Sequence, residues 1–292
     1  MHPSSHNELL RQRDVRRRFD RAARAFEEHN FVHRRAMDGL LERMEPMRLR
    51  PDRILDLGAG TGASGRRLAG LFGRRPLVGL DVSRGMLEQA RRSRPWLSRI
   101  REVQGDAYRL PFRAGSFDLV VANLLLPWIS DPGAVFREIS RVLRRDGAFV
   151  FSSLGPDSLL PLRQAWADVD GEPHVHPFPD MHDIGDALLG ARLRDPVVDV
   201  DWLTVTYRHS ADLLRDLTAT GSRNCLADRR HGLTGRDRFR LAMAALDRRF
   251  DDGALAIGLE FVYGHAWGGG PAPEPGEFRV DPTSIGRLAR QP

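Results

Sequence analysis

Three glycines at alternate positions, Gly58, Gly60 and Gly62, follow the apolar run Ile54-Leu55-Asp56-Leu57, and Asp81 closes a second run, Pro76-Leu77-Val78-Gly79-Leu80. Glycines so spaced let the chain turn sharply and bring bare backbone against a ligand, because no Cβ stands in the way. A carboxylate at the tip of the next strand can accept hydrogen bonds from both hydroxyls of a ribose. A third station repeats the arrangement: Gly105-Asp106-Ala107 follows the segment 100–103, so Asp106 can accept from the amino group of an adenine. The G-x-G-x-G spacing departs from the G-x-G-x-x-G that seats a dinucleotide pyrophosphate on a helix N-terminus, which argues against NAD and FAD. The expected chemistry is therefore binding of a nucleotide-like ligand across this edge.

Strands must hold these stations in line. Apolar segments at 53–57, 77–81, 117–123 and 148–152 alternate with helical patterns such as 63–71, which predicts an α/β fold with a parallel, doubly wound sheet. Ligands of such sheets lie beyond the carboxyl ends of the strands, where Gly58, Asp81, Asp106 and Asn123 all fall. Ahead of the sheet, Phe19, Ala22, Ala23 and Phe26, then Ala36, Leu40 and Met44, recur at helical spacing and predict two helices. Beyond Gly155 the patterns read as helices at 158–169 and 183–189 around a His- and Pro-bearing loop. A strand at 197–207, helices at 211–220 and 237–250, and a last strand at 259–267 follow. The predicted organisation is an N-terminal helical segment (1–46), a domain over 47–267 with helical insertions near 155–190 and 210–250, and a disordered Gly- and Pro-rich tail (268–292).

The formal charge of +6 is carried by arginine alone, since the chain has no lysine. Arginine does not give up its proton, so the basic balance overstates any special affinity for acidic partners. The densest basic run, Arg11, Arg13, Arg16, Arg17 and Arg18, reads as a solvated helix face with no nucleic-acid motif beside it, and no nucleic-acid partner is expected. The single cysteine, Cys225, excludes an internal disulfide and a thiolate metal cluster and suits a reducing cytoplasm; no metal is expected. The longest apolar stretch, 119–126, contains Asn123 and is too short to span a bilayer, so a soluble, cytoplasmic protein is expected.

The stretches Asp56-Leu57-Gly58-Ala59-Gly60-Thr61-Gly62, Gly79-Leu80-Asp81-Val82-Ser83, Gly105-Asp106-Ala107, Phe117-Asp118-Leu119-Val120 and Arg141-Val142-Leu143-Arg144-Arg145-Asp146-Gly147 resemble, in order, the motifs of class I S-adenosylmethionine-dependent methyltransferases. The resemblance implies a Rossmann-like sheet, mostly parallel with an antiparallel terminal strand, helical lid segments, and S-adenosylmethionine as cofactor. Further stretches resemble the malonyl-acyl-carrier-protein O-methyltransferases of biotin synthesis. They are Gly155-Pro156-Asp157-Ser158-Leu159, Leu162-Arg163-Gln164-Ala165-Trp166, the segment 178–188, Gly232-Leu233-Thr234-Gly235 and Val262-Tyr263-Gly264-His265-Ala266-Trp267. That resemblance implies methyl transfer to the free carboxylate of a malonyl thioester, carried on acyl-carrier protein or coenzyme A, to give the methyl ester that primes pimeloyl synthesis.

Matched to the family's motif positions, Phe19, Gly58, Gly60, Asp81, Val82, Met86, Asp106, Ala107 and Asn123 are expected to bind cofactor. The helix around Phe19 and Phe26 resembles the segment that closes over it. Met86 suits either adenine packing or plain core. A malonyl carboxylate is already ionised near neutrality and needs alignment rather than a base, so no catalytic acid or base is expected. Positioning candidates are Trp128, Arg223, Tyr263 and His265, with His182 and Asn224 beside them; a helix cap is the favoured reading of His182, and a structural role that of Tyr263 and His265. The chain departs from its apparent relatives at Phe26-Glu27, where Tyr-Asp is common, at His33, where Gln is common, and at Ala59, where Cys is frequent. Three other readings stand beside it: a non-catalytic binding module, which the complete run of cofactor stations disfavours, a changed small-molecule acceptor, and a complex I assembly factor that hydroxylates a protein arginine. The assembly factor shares the cofactor motifs, the segment 155–166 and Asn224-Cys225.

Overall fold

The computed structural model describes residues 9–229, 232 and 234–269. Its centre is a seven-stranded sheet: β1 (Ile54–Leu57), β2 (Leu77–Asp81), β3 (Ile100–Gln104), β4 (Phe117–Asn123), β5 (Leu143–Leu154), β6 (Leu193–Tyr207) and β7 (Leu255–Gly268). The strand order is β3-β2-β1-β4-β5-β7-β6. The chain winds outward from β1 to β3 and then returns to β4 on the other side of β1. The order therefore reverses between β1 and β4, which opens a crevice beyond their carboxyl ends. β1 is buried at every residue, as expected of a central parallel strand covered on both faces.

Helices α1 (Gln12–Ala22), α2 (Phe26–His29) and α3 (Phe31–Met44) precede the sheet, so the two expected helices are three, broken near Ala25 and again at Asn30. α4 (Ala63–Phe72), α5 (Arg84–Ser93) and α6 (Pro132–Val142) connect the parallel strands; Ser83 and Asp131 cap α5 and α6 through backbone N–H groups of Met86 and Ala134. α7 (Leu160–Ala167), α8 (Met181–Gly190), α9 (Ser210–Ala219) and α10 (Arg236–Asp247) belong to the later half. The last strand in sequence, β7, is antiparallel as expected but is not at the sheet's end, for it lies between β5 and β6 and pairs with both. Gly268 is still paired, with Leu193, so β7 runs into the stretch expected as a tail; from residue 270 on, that stretch lies outside the described residues.

Apolar side chains fill both faces of the sheet. Phe136, Phe149 and Phe151 lead the cluster under α6 and α8, while Met37, Leu40 and Tyr263 pack beneath α3. A third cluster, with Leu162, Leu213, Leu246 and Ile257, joins α7, α9 and α10 to the ends of β6 and β7 that overhang the parallel strands. Tyr263 is fully buried against Gly39 of α3, with the Arg43 guanidinium 3.9 Å from its ring centroid. A Cβ on Gly39 would overlap the Tyr263 Oη and Cζ atoms, so this glycine is required by close helix-to-sheet packing. Gly39→Ala is expected to destabilise the fold by about 1–3 kcal/mol despite alanine's better helix propensity, read as a lower urea midpoint.

Candidate active site

Parallel register brings Leu57 level with Leu80, and Gly58 and Ala59 both donate backbone N–H bonds to the Leu80 carbonyl at 2.8 and 3.0 Å. The loop that follows turns through positive φ at Gly58 (78°), Gly60 (52°) and Gly62 (79°), which L side chains rarely adopt. A Cβ on Gly60 would project into open space, so on that side the bare backbone faces the crevice. Gly60 N–H donates to Asp81 Oδ2 and Ser83 N–H to Asp81 Oδ1, both at 2.8 Å. Burial nonetheless lifts the Asp81 pKa to about 6 against these amide donors. Behind the loop, Asp56 is buried and neither oxygen reaches a well-aligned partner. Burial first, then the charge of Asp81, lift it to about 7, with only the Gly65 amide opposing. Asp81 at the crevice, with Asp56 buried behind the loop and near enough to feel its charge, favours a cationic ligand over phosphates.

The other expected cofactor residues lie around this floor. Asp106 is exposed and accepts from Tyr108 N–H at 2.9 Å, Ala107 packs at the edge of the core, and Val82 sits in the turn after Asp81. Met86 is buried among Ala22, Ala23 and Phe26, with Phe19 at the margin. Asn123 differs from expectation. Its Oδ1 accepts from Ser152 Oγ at 2.8 Å and its Nδ2 donates to the His33 carbonyl at 2.9 Å, so this side chain ties β4 to β5 and α3.

Two acids hold the N-terminal helices over the crevice, and neither stood among the expected site residues. Asp20 Oδ1 accepts from Ser83 Oγ at 2.7 Å and Gly85 N–H at 2.9 Å. Glu27 Oε1 accepts from Thr61 Oγ at 2.6 Å and Arg66 Nη2 at 3.0 Å. Burial works to raise the Glu27 pKa, but the bonds from Thr61 and Arg66 prevail and hold it low. Glu27 was visible in sequence only as a departure from Asp, and the longer carboxylate here clasps the glycine loop; Asp20 gave no signal within a basic run.

Beside the crevice, past the tip of β4, opens a cavity of about 640 Å³ lined by Arg18, His33, Leu124, Trp128, His176 and Arg223, and farther out by residues of the third cluster. Trp128 stands edge-on to Phe19 (4.9 Å) and His176 (5.1 Å). Burial holds His33 and His176 near 4, and His176 Nε2 accepts from Cys225 N–H at 2.7 Å, so both imidazoles are neutral at pH 7. Arg18 donates to the Asn224 carbonyl at 2.9 Å. Burial and the Arg18 charge press the Arg223 pKa down, and among the described residues neither arginine pairs with a carboxylate. Asn224 also lines the cavity and braces its rim by donating to the Pro173 carbonyl.

Three expected candidates lie elsewhere. Tyr263 is under α3, His265 is edge-on to Trp267 in β7, and neither lines the cavity, because their strand face packs against the sheet's own cover. His182 is exposed and bonded to Asp180, the cap of α8. Among the described residues no group of His, Cys, Asp and Glu suits a metal ion, and no helix is long and apolar enough to cross a membrane.

Residues 55–151 match the family model described as a methyltransferase domain. Over 285 residues the chain is 41% identical to the malonyl-acyl-carrier-protein O-methyltransferase of Halorhodospira halophila, covering 96% of this chain and 97% of that one. The same enzyme of Gallionella capsiferriformans is 38% identical over 271 residues, covering 91% and 93%. The chain belongs to the malonyl-acyl-carrier-protein O-methyltransferase family. The fold agrees. The phosphoethanolamine N-methyltransferase 2 of Haemonchus contortus, solved in complex with S-adenosyl-L-methionine, aligns with a TM-score of 0.52 at 19% identity, over 85% of this chain and 57% of that one.

Family and fold imply S-adenosylmethionine as methyl donor. The crevice fits such a group: open space beside Gly60, a carboxylate at the β2 tip, and an electronegative floor for a sulfonium and an ammonium. That floor is a burden on the free protein. A folded-state pKa raised from 3.8 to about 7 means Asp56 favours folding at low pH and loses that contribution as pH rises toward 7. Asp56→Asn is expected to raise the melting temperature of the cofactor-free chain by a few degrees at about pH 8 and by less at about pH 5, measured by calorimetry.

Proposed function

We propose that this chain transfers the methyl group of S-adenosylmethionine to the free carboxylate of malonyl-acyl-carrier protein, yielding the methyl ester and S-adenosylhomocysteine. Near full-length kinship with enzymes of that name supports the reading. The observation that carries it in the structure is a crevice with Asp81 at its floor lying next to a cavity that bears Arg18 and Arg223, neither paired with a carboxylate among the described residues.

Gly58, Gly60 and Asp81 would hold the methionine and ribose portions, and Val82, Met86, Asp106 and Ala107 the adenine end, with Phe19 and the Asp20 and Glu27 contacts closing over them. Bound S-adenosylmethionine supplies an electrophilic methyl carbon, which a carboxylate oxygen takes in line with the departing sulfur and with no proton transfer. The protein's own share is orientation. Arg223, with Arg18, holds the acceptor carboxylate by charge-assisted hydrogen bonds. Trp128 and Phe19 wall out water, and the neutral His33 and His176 add no rival cation beside the attacking oxygen.

Incubating the chain with S-adenosylmethionine and malonyl-acyl-carrier protein is expected to add a single methyl group to the carrier, detected by mass spectrometry and lost on ester hydrolysis. No added methyl with cofactor affinity intact would overturn the reading. Arg223→Ala is expected to raise KM for the acceptor by roughly tenfold or more, the cost of a lost charge-assisted bond (about 1.5–3 kcal/mol), while calorimetric affinity for S-adenosylmethionine stays within about twofold.

A further inference from the structure

α1 carries acids and arginines with opposite fates. Asp14 turns inward to Arg229 and Asp20, though exposed, is held by Ser83 and Gly85, whereas Arg13, Arg16, Arg17 and Arg21 are exposed and free of such partners among the described residues. Among the described residues none of these four arginines pairs with a carboxylate. Elsewhere on the surface, Arg67, Arg75, Arg84 and Arg194 each have one, while among the described residues Arg92 and Arg145 do not, so it is the clustering of unpaired arginines that sets α1 apart. The arginines of α1 are therefore a concentrated positive field rather than one side of ion-pair networks.

Their placement gives the field a direction. Arg18 lines the acceptor cavity, and Arg21 lies one helical turn beyond it, with Arg17 a turn before Arg21. The stripe Arg17, Arg18, Arg21 thus runs along α1 from the cavity lining to open surface. Arg223 stands in the same cavity lining.

Resting on the function proposed above, we propose that the exposed flank of α1, centred on Arg17 and Arg21, is the docking surface for the acyl-carrier protein. An acyl-carrier protein is strongly acidic, so this stripe matches it in charge. Docking there sets the carrier beside the cavity into which its acyl group must reach. The same helix clamps the cofactor crevice through Asp20, so a carrier seated on α1 presses on the element that covers the methyl donor. A coenzyme A thioester offers no protein surface to the stripe, which makes the carrier the preferred form of acceptor.

The test uses the full chain carrying Arg17→Glu and Arg21→Glu together, assayed on malonyl-acyl-carrier protein and on malonyl-pantetheine, with titration of fluorescently labelled holo carrier protein as a second readout. Charge reversal at an interface rim acts mainly on encounter, so kcat/KM on the carrier substrate should fall roughly tenfold or more and carrier binding should weaken. The wild-type chain should lose rate with added salt while the variant responds little. Malonyl-pantetheine turnover and S-adenosylmethionine affinity should match the wild type. Unchanged carrier binding and kinetics, or an equal loss on both substrates, would overturn the docking proposal. Failure of the wild-type chain to methylate either substrate would instead overturn the function on which it rests.

Discussion

The bond from Gly60 N–H to Asp81 Oδ2 is the constraint around which the site is arranged. It exists because β1 and β2 run parallel in a register that sets the glycine loop beside the β2 tip, and because three residues of that loop accept positive φ. A one-residue slip of β1 would exchange the faces of its side chains and carry the loop away from Asp81. The same register holds the buried Asp56 behind the loop, and the two carboxylates share a low-dielectric floor that resists ionisation. Stability is given up there, since both carboxylates ionise less readily than they would in water.

Closure follows from the same loop. Glu27 reaches Thr61 and Arg66, and Asp20 reaches the turn after Asp81, so the N-terminal helices are fastened to both sides of the crevice. On the acceptor side the chemistry is equally spare. The overhanging ends of β6 and β7, with α7 and α9, wall a roomy cavity, and its buried histidines stay neutral. The carboxylate of Asp216 in the cavity lining is engaged by His29, whereas Arg18 and Arg223 have no carboxylate partner among the described residues, and arginine can hold a carboxylate without taking or giving a proton.

Much of this was legible in the residues. The alternation of apolar strands with helices marked the parallel core within a few residues, and Gly58, Gly60 and Asp81 stood at strand ends because parallel sheets place their ligands there. Three features escaped. Asn123 sits at the right strand end, but its amide is consumed by Ser152 and the His33 carbonyl, a tertiary pairing that no local pattern encodes. Tyr263 and His265 lie on the last strand, and whether that strand faced the cavity depended on its insertion between β5 and β6 rather than on its own alternation. Asp20 and Glu27 gain their roles only when helices distant in sequence fold back over the loop.

The central claim is that this site aligns an already ionised carboxylate and supplies no proton acceptor. Single-turnover methyl transfer from saturating S-adenosylmethionine to malonyl-acyl-carrier protein, followed across pH from about 6.5 to 9, tests it most directly. A flat rate is predicted, because the acceptor is ionised throughout, saturating S-adenosylmethionine removes the effect of Asp56 and Asp81 ionisation on cofactor binding, and His33 and His176 do not titrate in that range. A rate that climbs about tenfold per pH unit through neutrality would contradict the account, since some group would then have to lose a proton before the methyl could move.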